Sequence, residues 1–338
     1  MPSWLRKRRK KRVLKYLFFM ALILLSLPWL LYLIFSGDKH IHLDGDTLSI
    51  NLYNHTTKQV EKLKLEEYVV GVVAAEMPAS FPLEALKAQA VAARTYAVKR
   101  LQVPDPRVKT IDRLADISSD PAINQAWISS EEMGKRWGKL GYVVNRNKII
   151  KAVAETKNQV LVYGEEVIDP SYHASCGGYG TENSEDVWKF AIPYLRHVPC
   201  VDHEDRHKAV VQLVSLHKID QLFETQLQSA PASKMFNSSQ GIVMKEKTGT
   251  GRFKKVVLGG KTITTSEFRS KMALPSSHFE LELKGANLCI TTHGYGHGVG
   301  MCQYGAAELA RTGKRFDEIL AYYYQGVKLA GLAPGKNG

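Results

Sequence analysis

The chain has 338 residues, of which 44% are hydrophobic and 23% are charged. This length and balance supply enough apolar material for one large core or two smaller ones, and they exclude an intrinsically disordered chain. The formal net charge is +13, and eight of the first 15 residues are Lys or Arg. Such a basic run can indicate nucleic-acid binding. Here it directly precedes an apolar segment, so we expect no nucleic-acid partner.

That apolar segment, Tyr16 to Ser36, contains no charged side chain. A helix of about 20 apolar residues spans the hydrocarbon core of a bilayer. A cleaved signal peptide would have a shorter apolar core and a small-residue cleavage site. We therefore predict a basic cytoplasmic tail at 1–15 and an uncleaved transmembrane helix at 16–36. By the positive-inside rule, the domain at 37–338 then lies outside the cytoplasm.

Two helices separated by a proline-rich turn follow a predicted strand at Thr47–Tyr53. The first is predicted at Glu66–Met77, because Pro78 lacks the N–H needed to continue it. The second starts near Pro82, since proline suits the first turn of a helix. Its many alanines favour a helix and allow close packing against neighbours.

The rest of the chain mixes helical and strand patterns. Residues 202–290 are polar and basic, and we interpret them as a possible inserted subdomain with its own small sheet. No alternation of strand and helix indicates a doubly wound sheet, so the predicted fold class is α+β. The further predicted elements are loops with short helices at 101–130, a helix at Glu131–Val144, strands at Lys148–Val153, Gln159–Tyr163 and Glu166–Ile168, and helices ending near Ala310 and spanning Phe316–Tyr324.

Glu76 is the candidate catalytic residue. It lies in the last turn of the first predicted helix, where the negative end of the helix dipole disfavours a carboxylate. Its neighbours Ala74, Ala75 and Met77 are apolar. Both effects raise a carboxyl pKa, as a general acid working near neutral pH requires. The alternatives are a solvated glutamate at a helix end and a glutamate paired with Arg94.

Two polar, glycine-rich blocks come later in the chain, at Tyr172–Trp188 and His293–Ala306. Functional loops often have this composition, and so do ordinary surface loops. The aromatic rings of Tyr172, Tyr179 and Trp188 could stack on sugars. The glycine run of the second block lacks the Lys and Ser/Thr of a phosphate-binding loop.

Three segments resemble the stage II sporulation protein D family. They are Val73-Ala-Ala-Glu-Met-Pro78 with Ala85–Ala97, the block Tyr172–Trp188 with Pro193-Tyr-Leu195, and the block His293–Ala306. The segments occur in the order expected for the family, and the resemblance covers about residues 60–330. It implies a membrane-anchored lytic transglycosylase that acts on peptidoglycan glycan strands lacking stem peptides, at the forespore septum and during engulfment. The implied partners are an amidase and a second engulfment membrane protein, and no cofactor is expected.

The resemblance also implies the chemistry. An ordinary glycosidase uses two carboxyl groups, whereas a lytic transglycosylase can use one. Glu76 would protonate the glycosidic oxygen and then deprotonate the 6-hydroxyl of the muramic acid, which closes to a 1,6-anhydro sugar. Arg94 is expected near Glu76 without a bidentate ion pair. The expected substrate-binding residues are Arg94, Tyr172, His173, Tyr194, His297 and Gln303. The alternative is a non-catalytic cell-wall scaffold that recruits an amidase.

The four cysteines leave several interpretations open. His173, Cys176, Cys200 and His203 are residue types that suit tetrahedral zinc. A Cys176–Cys200 disulfide, which an extracytoplasmic site permits, and free thiols are simpler, so the sequence assigns no metal ligand. Cys302 beside a histidine-rich turn also resembles the Cys/His pair of a thiol hydrolase, which would need a lowered thiol pKa. No cysteine stands in a clearly thiolate-stabilising sequence context.

Overall fold

The computed structural model describes Lys15 and residues 48–203, 209–236 and 238–332. The chain divides into two units, residues 1–44 and 45–338, and the elements below belong to the second. The predicted transmembrane helix and, apart from Lys15, the basic tail lie outside the described residues. Within the described ranges, no helix is long and apolar enough to cross a membrane.

A small sheet and a helix pair begin the described fold. Strand β1 (Ser49–Asn54) pairs antiparallel with β2 (Gln59–Lys64) and parallel with β3 (Ile117–Ser118). Helices α1 (Leu65–Glu76) and α2 (Leu83–Gln102) follow β2, and the short α3 (Pro106–Ile111) precedes β3. The prolines separate α1 from α2 as predicted. Pro78 disfavours a helical conformation at the preceding residue, and the backbone at Met77 is extended (φ −118°, ψ 142°).

Helix α4 (Ser130–Glu155) is longer than the sequence indicates and has a non-helical residue, Gly138 (φ 66°), inside it. The predicted strand at Lys148–Val153 is therefore wrong. Its β-branched residues suggested a strand, but no breaker separates them from the preceding helix. Ile149, Ala152 and Val153 are buried at helical spacing, so tertiary packing decides the conformation of this segment.

Two further groups of strands belong to this part of the chain. Strands β14 (Lys328–Gly331), β4 (Gln159–Tyr163) and β5 (Glu166–Val167) form one sheet in that order. Strand β6 (Tyr172–His173) pairs parallel with β13 (Met301–Cys302). The short helix α5 (Ser184–Val187) follows β6.

Residues between 210 and 292 form two further three-stranded sheets, ordered β10-β9-β8 and β11-β12-β7. Their buried side chains, including Leu216, Phe268 and Ile290, form a cluster separate from the main core. This cluster falls inside the predicted inserted subdomain, whose boundaries stay a prediction. The elements are β7 (Val210–Ser215), α6 (Leu216–Phe223), β8 (Ile242–Lys247), β9 (Phe253–Leu258), β10 (Lys261–Thr264), α7 (Thr265–Lys271), β11 (Phe279–Lys284) and β12 (Asn287–Thr292).

Helices α8 (Gln303–Arg311) and α9 (Phe316–Tyr323) pack their buried side chains into the main core. Helix α2 lies at its centre, in contact with α1, α4, α8, α9 and β4. The alanines of α2 are buried, as are most residues of α1. The mixture of helices and separate small sheets is an α+β fold, as predicted.

Candidate active site

Glu76 is the last residue of α1, and its side chain is half-buried. The backbone N–H of Ala126 donates a hydrogen bond to its Oε1 over 2.9 Å. Burial raises the pKa of Glu76 above its ordinary value, while hydrogen bonds from Ala126 and Gln303 lower it in part. Among the described residues, no cationic side chain is paired with this carboxyl group. The direction of the shift agrees with the sequence prediction, and burial is its main cause.

The loop that supplies the Ala126 N–H is held against α1 by close packing at Gly71. A Cβ atom at Gly71 would lie only 2.1 Å from Nε1 of Trp127. The N–H of Ile128 also donates to the carbonyl of Gly71 over 3.3 Å. Only a residue without a side chain lets Trp127 approach α1 so closely, so Gly71 fixes where the neighbouring Ala126 N–H meets Glu76.

The side chain of Gln303, which is distant from Glu76 in the sequence, forms a hydrogen bond with the Glu76 carboxyl group. It is the first residue of α8 and is 3% exposed. The parallel pairing of β13 with β6 places Cys302 opposite His173, and this pairing sets the start of α8. The amide nitrogen of Gln303 donates to Oε1 of Gln89 over 3.2 Å, which orients the Gln303 amide toward the carboxyl group.

Two tyrosines lie close enough to Glu76 for their charged forms to interact with its carboxylate. They are Tyr68 of α1 and Tyr172 of β6, whose pKa values are both raised, chiefly by burial and in part by Glu76. The Tyr68 hydroxyl donates to Oε1 of Gln125 over 3.1 Å. The Tyr172 hydroxyl is buried and has no hydrogen-bond partner in the described part of the chain. Tyr172 thus lies near Glu76, and its role in substrate binding stays a prediction.

Arg94 lies elsewhere, which corrects a sequence expectation. Its side chain is fully buried and forms a bidentate ion pair with Glu66, with Nε–Oε1 at 2.8 Å and Nη2–Oε2 at 2.6 Å. Its remaining donors reach the carbonyls of Val153 and Gln159. The sequence alone does not show which of the glutamates Glu66, Glu67 and Glu76 forms an ion pair with Arg94. In the structure Arg94 pairs with Glu66, so Arg94 does not neutralise Glu76.

His173, His297 and Trp188 form a second group next to Tyr172. The His297 ring lies 5.7 Å from that of His173 and 5.1 Å from that of Trp188, between centroids. Burial lowers the pKa of His297 to about 3 and that of His173 to about 4. Both rings are therefore neutral at neutral pH and can donate or accept hydrogen bonds without carrying charge.

Tyr194 lies in a different environment. Its hydroxyl accepts a hydrogen bond from the N–H of Asp169 over 3.0 Å, and its ring lies 5.7 Å from that of Tyr163. These contacts belong to the region around β4 and β5. The contacts of Tyr194 within the described ranges do not include Glu76 or Gln303, so its predicted role in substrate binding stays a prediction.

Three of the cysteines meet at one place. The Sγ atoms of Cys176 and Cys200 are 3.3 Å apart, and Nε2 of His203 lies 3.5 Å from Sγ of Cys176 and 3.6 Å from Sγ of Cys302. Hydrogen bonding from Cys200 and then Cys302 lowers the pKa of Cys176. This corrects the expectation that no cysteine is in a thiolate-stabilising environment.

The structure does not favour Cys302 as a nucleophile. Its side chain is 1% exposed, and burial raises its pKa, whereas a thiol nucleophile needs a lowered pKa and access to substrate. The histidine beside it is His203 rather than one from the glycine-rich turn.

Comparison with known proteins identifies the family. The chain is 38% identical over 290 residues to the stage II sporulation protein D of Bacillus subtilis (strain 168), covering 85% of this chain and 80% of that protein. This chain belongs to the stage II sporulation protein D family. The family model described as "Stage II sporulation protein" matches residues 53–163, which include Glu76.

Other members and relatives extend the comparison. The stage II sporulation protein D of Bacillus amyloliquefaciens is 36% identical over 284 residues, covering 84% of this chain and 79% of that protein. A protein named "Amidase enhancer" from Bacillus subtilis (strain 168) is 28% identical over 310 residues, covering 77% of this chain and 40% of its own length. The family resemblance inferred from the sequence motifs is thus confirmed.

Sequence reasoning missed some residues around Glu76, namely Gln89, Gln125 and Ala126. Gln89 is a polar residue among the buried alanines of α2 and is 0% exposed, so its isolation in an apolar face was an available signal. Ala126 contacts Glu76 through its backbone N–H. Every residue except proline has this group, so the amino-acid type at position 126 could not indicate the contact.

Proposed function

We propose that this chain is a membrane-anchored lytic transglycosylase of sporulation that cleaves peptidoglycan glycan strands, preferably those without stem peptides. The observation that supports this most is the state of Glu76. Its carboxyl group is half-buried, is not paired with a cation among the described residues and has a raised pKa. Such a carboxyl group keeps its proton to a higher pH than an ordinary glutamate does and can give it up during a reaction.

The proposed reaction uses Glu76 twice. The protonated carboxyl gives its proton to the glycosidic oxygen between muramic acid and glucosamine, and the bond from that oxygen to C1 breaks. The carboxylate then takes the proton of the 6-hydroxyl of the same muramic acid, whose oxygen bonds to C1. The products are a glucosamine with a free 4-hydroxyl and a 1,6-anhydro-muramic acid end. No water is consumed, so a second carboxylate to activate water is not required, in contrast to an inverting glycosidase.

The residues around Glu76 fit both steps. The Ala126 N–H and Gln303 hydrogen-bond to the carboxyl group and would stabilise the carboxylate left after the first proton transfer. The buried hydroxyl of Tyr172 has no hydrogen-bond partner among the described residues, and the side chain lies near the carboxyl group. The neutral rings of His173 and His297 could bind sugar hydroxyls without attracting a charge to the site.

Product chemistry tests the proposed activity. Purified glycan strands stripped of their stem peptides would be incubated with the full chain and analysed by mass spectrometry. We expect new 1,6-anhydro-muramic acid ends that increase with time. Reducing ends would instead indicate a hydrolase, and strands bound but left intact would contradict the enzyme proposal.

The second candidate function is a cell-wall scaffold that recruits an amidase. The relationship to a protein named "Amidase enhancer" favours it. For this chain we propose an amidase as a partner, together with a second engulfment membrane protein, in septum thinning and engulfment. Stimulation of a purified amidase by the Glu76→Gln variant, equal to that by wild type, would show that recruitment is independent of cleavage. Dependence of stimulation on Glu76 would place the cleavage step first.

The proposed location follows from the N-terminal sequence. Residues 1–15 would stay in the cytoplasm, 16–36 would span the cell membrane at the septum and forespore envelope, and 37–338 would lie outside. Protease added to spheroplasts should then digest most of the chain. Full protection of the catalytic segment would contradict this orientation.

A further inference from the structure

The structure brings four potential metal ligands together from three distant segments. Cys176 lies in the glycine-rich block after β6, Cys200 and His203 lie between α5 and β7 in the chain, and Cys302 ends β13. The ligand atoms of Cys176, Cys200 and His203 all lie within 4.8 Å of one another. Cys302 is not one of these three, but its Sγ lies 3.6 Å from Nε2 of His203.

Three of the spacings among these atoms suit a tetrahedral zinc site. Zn–S bonds of about 2.3 Å and Zn–N bonds of about 2.0 Å place neighbouring ligand atoms roughly 3.4–3.8 Å apart. The three measured separations are 3.3, 3.5 and 3.6 Å. Three cysteines with one histidine are among the usual ligand sets of structural zinc.

Hydrogen bonds around Cys302 supply a second, independent observation. Its Sγ accepts bonds from the N–H groups of Cys176 and Gly305, each over 3.4 Å. Backbone N–H groups that donate to a sulfur hold it in position, as outer-shell hydrogen bonds do for the ligands of a metal site. A disulfide between Cys176 and Cys200 would use only two of the four groups.

We propose that Cys176, Cys200, His203 and Cys302 bind one structural zinc ion. The proposal replaces His173 of the set considered from sequence with Cys302. Nδ1 of His173 instead lies 3.2 Å from the Val299 carbonyl oxygen. The proposal does not rest on the transglycosylase reaction, and it revises the expectation that the protein has no cofactor.

The position of the site suggests what the ion does. Cys302 caps the N-terminus of α8, and the next residue, Gln303, is the one that contacts Glu76. An ion bound to Cys302, Cys176 and the Cys200–His203 segment would hold the start of α8 against the block that contains Tyr172. The zinc would thereby fix the position of Gln303 and Tyr172 relative to Glu76 without touching substrate.

The test measures metal directly. The full chain, purified with a reducing agent and without chelator, would be analysed for zinc by mass spectrometry, and its cobalt form by absorption spectroscopy. We expect one zinc per chain and the intense visible bands of tetrahedral cobalt with a thiolate-to-cobalt charge-transfer band. Cys302→Ser and Cys176→Ser should weaken zinc binding more than about 100-fold, because loss of an outer-shell partner alone costs 10–100-fold.

Matched variants keep the outcome interpretable. Cys289→Ser removes a buried cysteine of β12 outside the cluster, and His173→Gln removes the other candidate histidine; both should keep one zinc. Cys200→His, which preserves a ligand, should keep zinc even if Cys200→Ser fails to fold. The proposal is overturned if the reduced wild type binds no zinc on reconstitution, if Cys302→Ser binds zinc like wild type, or if peptide mapping finds a Cys176–Cys200 disulfide in active, metal-free protein.

Discussion

At the scale of single residues, the central feature is the cost of ionising Glu76. Its pKa is raised because burial removes water from the carboxylate, and no cation in the described part of the chain compensates. Natural active sites often keep such a destabilised group because the reaction needs it. Ionisation of Glu76 therefore lowers the stability of the fold.

This cost predicts a pH-dependent stability difference. A carboxyl group with a raised pKa contributes stability that is fully present below its unfolded pKa, about 4.3, and is lost as pH rises through the folded pKa. Glu76→Gln cannot ionise, so its melting temperature should exceed that of wild type at pH 8, and the gap should narrow toward pH 4. The exposed residue Glu165 supplies the control, since Glu165→Gln should show no such trend. Equal melting temperatures for Glu76→Gln and wild type across this range would show that Glu76 ionises without penalty.

At the scale of secondary-structure elements, α1 depends on one glycine for its contact with the Trp127 loop. A Cβ at Gly71 would overlap the indole, so Gly71→Ala should displace Trp127 and, with it, the Ala126 N–H. Overpacking of this kind costs about 1–3 kcal/mol. We expect a lower free energy of unfolding together with a lower rate of glycan cleavage. Denaturant unfolding and the cleavage assay would measure the two effects.

Gly134 of α4 is the matched control for that prediction. A Cβ there would meet only Cδ2 of Tyr142, at 4.0 Å, so Gly134→Ala should be neutral or slightly stabilising. A Gly71→Ala variant as stable and active as Gly134→Ala would contradict the packing argument.

Arg94 joins α2 to α1 through Glu66 and to the end of α4 through the Val153 carbonyl. Removing one partner of a buried ion pair costs about 3–5 kcal/mol, because the other charge stays buried. Arg94→Met should therefore destabilise the fold by about that amount, and Arg94→Met combined with Glu66→Gln by clearly less than the sum of the single changes. Glycan binding by the folded fraction should be unchanged. Weaker binding with full stability would restore Arg94 as a substrate-binding residue.

The elements that could be predicted from sequence are those whose ends have local causes. Pro78 and Pro82 determine where α1 stops and α2 starts, and Gly164 (φ 61°) forms the turn between β4 and β5. The end of α4 has no such local signal, because Lys148–Val153 is a strand-like sequence that packs as a helix. The prediction from local sequence pattern was therefore wrong at the segment whose conformation is determined by burial in the tertiary structure.

At the scale of the whole molecule, the site depends on contacts between segments that are distant in sequence. Gln303 meets Gln89 across 214 positions, and Cys302 meets Cys176 across 126. Sequence motifs identified each segment, but spacing alone could not show which side chains meet. This is why the sequence did not indicate Cys302 as a partner of Cys176, and why it placed Arg94 near Glu76 and did not indicate its ion pair with Glu66.

The side chain of Arg252 is buried and contacts the glycine-rich block Tyr172–Trp188. Arg252, adjacent to β9, pairs with Glu182 over 2.8 Å and donates to the carbonyls of Cys176 and Gly180, each over 3.1 Å. Both side chains of the pair are almost fully buried. The segment around β9 therefore holds the loop that contains Cys176, beyond forming its own sheet.

The measurement that tests the central claim most directly is the cleavage rate of Glu76 variants on peptide-free glycan strands. General acid–base catalysis by a positioned group is worth about 10²–10⁴-fold, and Glu76 is proposed to act in both proton transfers. Glu76→Gln should therefore lose at least that factor while keeping its fold and its glycan binding. Glu76→Asp should also lose most activity, since shortening by one methylene moves the acid about 1 Å from the oxygen it protonates. Anhydro-muramic acid ends formed by Glu76→Gln within a few-fold of the wild-type rate would contradict the mechanism.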